Sequence, residues 1–83
     1  MNLKSPSPTL RQLFGRRIQE LRKSRGLTQE AFAEQVGISV DFLSLIERGR
    51  NSPSFDNLEQ FGQALGFPLA QLFTFSGGSD ESE

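Results

Sequence analysis

The stretch Thr28 to Gly49, TQEAFAEQVGISVDFLSLIERG, limits the fold more than any other part of this 83-residue chain. It reads as two short helices joined by the tripeptide Gly37-Ile38-Ser39. Thr28 and Ser39 supply hydroxyl acceptors that start helices, and Glu30 puts a carboxylate in a first turn, where the helix dipole favours it. Gly37 can take a positive φ, so the chain leaves the first helix sharply without a Cβ penalty. Ala33 is small enough for the two helices to cross closely, and Ile38 can plug the base of the angle between them.

This is the construction of a helix-turn-helix, in which the second helix is held out to enter a major groove. Taken at about 100° per residue from Val40, Phe42, Leu43, Ile46 and Glu47 fall between about 200° and 340°, which makes them the core face. Val40, Asp41, Ser44, Leu45 and Arg48 fall between about 0° and 140° and point outward. That outward surface mixes a cation, an anion, a hydroxyl and aliphatics, which suits base edges: Val40 or Leu45 against a thymine methyl, Asp41 accepting from a cytosine amine. Glu47 lies at the core edge and needs a partner, because an unpaired carboxylate there is costly. Arg22, near the end of the first helix, is the candidate, giving a structural ion pair that locks helix three to helix one.

The surrounding segments complete an all-α chain, a compact bundle of five helices. The first is expected over Leu10 to Ser24, with Thr9 and Gln12 forming a capping box and Leu10, Leu13, Phe14, Ile18 and Leu21 on one apolar stripe. Gly26 ends it. The fourth starts near Ser54 or Phe55, carries Leu58, Phe61, Ala64 and Leu65, and stops at Gly66. A short fifth follows Pro68, with Leu69, Leu72 and Phe73 on one side. The organisation expected is a flexible arm over 1–8, where Ser and Pro alternate, a domain over 9–75, and a disordered, Gly/Ser-rich acidic tail over 76–83.

Composition narrows the chemistry. There is no cysteine and no histidine, which removes disulfides, thiolate metal sites and the commonest general base. No metal, no cofactor and no enzymatic activity are expected, and no apolar run is long enough to span a membrane. A cytoplasmic protein is the plain reading. The net charge of −1 is segregated. All nine basic residues lie between Lys4 and Arg50, against five acids, while the segment from Asn51 onward carries five acids and no base. One half can face phosphate while the other is repelled by it.

The run RRIQELRKSRGLTQEAFAEQVGISVDFLSLIERGRNSPSFDNLEQFGQALG resembles the Cro/CI-type, or XRE-type, helix-turn-helix domains of phage repressors, restriction-modification controller proteins and antitoxins. The resemblance covers most of the chain, about Phe14 to Phe73. It implies a lambda-repressor-like fold binding double-stranded DNA as a homodimer on a near-palindromic site, with half-sites about one helical turn apart.

Carried over by position, Thr28 and Gln29 start helix two where phosphate is touched. Ser39, Val40, Asp41, Ser44 and Leu45 occupy the base-reading helix. Arg48, Arg50 and Asn51 occupy the phosphate-touching turn after it, and Arg22 and Glu47 match the family's ion pair. Phe67, Leu72, Phe73 and Phe75 fall where the family dimerises, and exposed aromatics in a patch often mark an interface. Two departures stand out: Val40 and Asp41 occupy positions where phage repressors often carry glutamines, and Pro68 replaces a frequent Ser cap. The runner-up reading is an antitoxin or other partner-binding module of the same fold. A toxin or RNA polymerase would then be the protein partner.

Overall fold

The computed structural model describes residues 7–75, so the tail expected over 76–83 and most of the arm over 1–8 lie outside the described residues. Four α-helices follow one another: α1 (Leu10–Ser24), α2 (Gln29–Val36), α3 (Val40–Glu47) and α4 (Phe55–Leu65). Among the described residues there are no strands. The fifth α-helix expected after Pro68 is instead a short 3-10 helix, Leu69–Phe73. The reason is local. Pro68 makes no side-chain cap, and five residues give too few hydrogen bonds to offset nucleation of an α-helix.

Helix starts follow the hydroxyl side chains. Thr9 Oγ1 accepts from the Gln12 amide at 3.2 Å, while Gln12 Oε1 accepts from the Thr9 amide at 2.9 Å. Thr28 caps α2 through the Ala31 amide, and Ser39 caps α3 through the Phe42 amide, each at 3.0 Å. Ser54, rather than Phe55, is the cap of α4 and shares a reciprocal pair of bonds with Asn57. Each such cap satisfies donors that the first helical turn leaves open and stabilises by about 1 kcal/mol.

The core takes Phe14, Ile18 and Leu21 from α1, Phe32, Ala33 and Val36 from α2, Leu43 and Ile46 from α3, Phe61 and Leu65 from α4, and Leu72 from the 3-10 helix. Phe61 is its centre, 5.3 Å from Phe32 and 6.4 Å from Phe14 between ring centroids. Leu10, expected on the apolar stripe of α1, is 61% exposed. It is the first residue of α1, at the edge of the fold, where the described residues cover only part of its side chain.

The tightest approach lies between α1 and α3. A Cβ built on Gly15 would sit 2.4 Å from the Ile46 carbonyl oxygen and 2.6 Å from that of Glu47. Only glycine lets the α1 backbone come this near the last carbonyls of α3. No helix among the described residues is long and apolar enough to cross a membrane.

Candidate nucleic-acid interface

α2 and α3 are set at their angle by three consecutive residues. Gly37 has φ +76°, with open space around a would-be Cβ, so glycine is required there by backbone conformation and not by crowding. The Ile38 amide then donates to the Ala33 carbonyl at 3.0 Å, closing the end of α2, and Ser39 opens α3.

α3 splits into two faces. Leu43, Ile46 and Glu47 are buried, and Phe42 is half-buried. Asp41 and Arg48 are exposed; Val40, Ser44 and Leu45 are half-buried, each presenting part of its side chain at the surface. The turn that follows bends at Gly49, φ +75°, which sits against Gln12 of α1: a Cβ there would meet Gln12 Cγ at 2.8 Å. Beyond it Arg50 and Asn51 are exposed, with Asn51 Oδ1 accepting from the Ser52 amide. Thr28 is exposed and Gln29 half-buried at the start of α2. Arg48, Arg50 and Asn51 thus stand at the C-terminal end of α3, and Gln29 joins that end through Glu47.

Behind that face lies a buried polar cluster. Arg22 Nε donates to Glu47 Oε2 at 2.7 Å and Arg22 Nη2 to Oε1 at 3.0 Å, a bidentate pair whose side chains are 7% and 2% exposed. Arg22 Nη1 donates to the Leu27 carbonyl at 2.8 Å. Gln29 Nε2 gives the same carboxylate a third hydrogen bond, at 3.0 Å to Oε1. Arg22 and the Glu47 carboxylate together therefore tie α1, the α1–α2 loop, the first residue of α2 and the last of α3. A side-chain amide has two N–H donors. Gln29 uses one on Glu47 and keeps one for an outside acceptor.

Two other arginines are engaged within the fold, which the charge count along the sequence did not reveal. Arg17 grips Gln71 through the backbone carbonyl at 2.9 Å and the side-chain oxygen at 3.1 Å, fixing the 3-10 helix to α1. Arg25 donates to the Leu65 carbonyl at 2.8 Å and lies 4.3 Å over the Phe67 ring. With Arg22, these leave Arg11, Arg16, Lys23, Arg48 and Arg50 as the surface cations among the described residues.

The four residues read from the sequence as an exposed cluster do not form one surface. Leu72 is fully buried, Phe67 is half-buried beneath Arg25, and Phe75 is half-buried edge-on to Phe73 at 6.2 Å. Phe73 remains 41% exposed. Among the described residues the most exposed large apolar one is Phe55, at 84%, read from the sequence only as a helix start.

A family profile described as "Helix-turn-helix domain" matches residues 13–73. The control protein C.MunI of Mycoplasma sp is 39% identical over 62 residues, which is 74% of this chain and 84% of that one. The crystal structure of the restriction-modification controller protein C.AhdI from Aeromonas hydrophila superposes with a TM-score of 0.73 at 33% identity, covering 76% of this chain and 96% of C.AhdI. The structure of SinR, a master regulator for biofilm formation, in complex with DNA gives a TM-score of 0.69 at 32% identity, covering 74% of this chain and 98% of the SinR chain in that structure. By profile, sequence and structure alike, the chain belongs to the XRE-type helix-turn-helix family of DNA-binding transcriptional regulators, alongside restriction-modification controller proteins.

Proposed function

We propose that the protein is a homodimeric regulator that binds a near-palindromic operator in double-stranded DNA, with α3 in the major groove of each half-site. The observation that carries this reading is the division of α3. Its inner face is locked by the Arg22–Glu47–Gln29 cluster, while its outer face offers chemistry suited to base edges. Ser39, Val40, Asp41, Ser44 and Leu45 read bases: the aliphatics meet thymine methyls, and Asp41 accepts from a cytosine amine. Thr28, Gln29, Arg48, Arg50 and Asn51 hold phosphates on either side of the groove. Gln29 does so through its second amide N–H and its backbone amide at the start of α2, a position where helix N-termini favour anions.

The likeness to C.MunI and C.AhdI supports regulation of the controller kind, and the SinR complex supports duplex DNA as the ligand. The test is selection of bound sites from a random duplex library at near-physiological salt. A palindrome with half-sites about one helical turn apart is the expected product. Weak, salt-sensitive binding with no enriched sequence would overturn this reading in favour of a protein-binding module of the same fold.

A further inference from the structure

Two asparagines lie among the described residues, and their surroundings differ. Asn57 stands in the first turn of α4, where the next backbone amide, that of Leu58, donates to the Ser54 carbonyl at 2.9 Å and is held in the helix. Asn51 is exposed and lies outside any helix, in the turn that joins α3 to α4. There the next backbone amide, that of Ser52, donates at 2.9 Å to Asn51 Oδ1 itself. Asn51 Cγ is bonded to that oxygen, so the nitrogen and the carbon it would attack are already adjacent.

We propose that Asn51 is a site of spontaneous deamidation, and that its conversion takes the free protein out of DNA binding. The Ser52 backbone nitrogen gives its proton to solvent base and bonds to Asn51 Cγ; the bond from Cγ to the side-chain nitrogen breaks, and ammonia leaves. Water then opens the succinimide at either carbonyl, leaving an aspartyl or isoaspartyl residue at position 51. In sum, one amide and one water become a carboxylate and an ammonium ion. Ser52 is small and unbranched at Cβ, which leaves room for the ring to close.

The effect on binding follows from position, and it rests on the reading of Arg50 and Asn51 as phosphate contacts. Conversion replaces a neutral donor with an anion directly after Arg50, and like charges brought together across an interface are costly. An isoaspartyl link also adds one carbon to the backbone just ahead of Pro53 and the Ser54 cap of α4. Bound DNA covers the turn on the same reading. Operator-bound protein is then spared, and unbound protein is retired with time.

The experiment ages the full chain at mildly alkaline pH, digests it at low pH and locates the amide-to-acid mass gain by tandem mass spectrometry. Position 51 is expected to convert roughly tenfold faster than position 57, or more, because the amide that would attack Asn57 must first leave its helix. Equal rates, or conversion at position 57 alone, would overturn the proposal. The aged chain and Asn51→Asp are both expected to bind the selected duplex roughly tenfold more weakly than fresh protein, with circular dichroism unchanged. Asn51→Gln is expected to keep its own affinity through the same ageing, and the duplex to slow conversion of the wild-type chain. A converted chain that binds as tightly as fresh protein, or converts equally fast on and off DNA, would overturn the link from Asn51 to DNA binding. The mass measurement needs no DNA, so a fresh chain that selects no sequence would sink the operator reading and leave the chemistry at Asn51 to be decided separately.

Discussion

Arg22 and Glu47 face each other across the α1–α3 junction in a bidentate pair at 2.7 and 3.0 Å, with Gln29 closing the carboxylate's remaining approach. A buried ion pair contributes little net stability over well-packed apolar residues, but removing one partner strands the other charge. Arg22→Met or Glu47→Leu alone is therefore expected to cost about 3–5 kcal/mol, and the double variant Arg22→Met/Glu47→Leu much less than the sum. Urea denaturation of the three variants checks this. Additive costs would mean that the two side chains do not act as a unit.

Gln29→Glu places a second carboxylate where an amide now donates at 3.0 Å. The lost hydrogen bond and the repulsion outweigh the favourable helix start, with an expected loss of about 1–2 kcal/mol. The Arg22→Met background should reduce that tolerance further, and a shift of the urea midpoint measures both.

Gly15→Ala tests the closest contact in the fold. Alanine favours a helix interior over glycine by about 1 kcal/mol, so an open site would be stabilised. Here the added methyl meets backbone carbonyls at 2.4 and 2.6 Å that cannot rotate away. A net loss of about 2 kcal/mol or more is expected, as for other overpacked sites, along with weaker DNA binding as α3 shifts. A raised Tm would show that the helices part without cost.

Arg50→Ala should weaken binding to every DNA sequence alike and reduce the slope of log K against log salt by about one. Titrations at several salt concentrations, on the selected site and on random duplex, separate this outcome from a loss confined to the selected site.

Asp41→Ala should instead change which site is preferred, by about 1–3 kcal/mol at one base pair, with little effect on the salt slope. Repeating the library selection with the variant reads this out. An unchanged preference would take Asp41 out of base recognition.

What the sequence revealed was local. Thr9, Thr28, Ser39 and Ser54 announce their helices because a cap involves residues only three apart. The two faces of α3 follow from its period, and Glu47 at the core edge demanded a cation. The partners of Arg17 and Arg25 are 54 and 40 residues away, beyond any pattern, so their charges looked available for phosphate when they are committed to the fold. The C-terminal aromatics misled for a related reason: composition marks Phe67 and Phe73 alike, but only the folded chain lays Arg25 over the first. Gly15 did carry a signal. An unforced glycine in the middle of a helix is a cost, and its presence points to another backbone close by.

The contacts of α1 have a further consequence. α3 meets α1 at Gly15 through its final carbonyls, and the turn beyond it meets Gln12 at Gly49. The reading helix is thus held against one rigid strut over its last turn and the loop that follows, and cannot roll to present a different face without breaking both contacts. On the proposed reading, changes of target would then be confined to replacing the few side chains on the outer face, one letter at a time, with the docking pose inherited. If Val40, Asp41, Ser44 and Leu45 read bases as proposed, exchanging them would diversify the operator and leave the scaffold untouched.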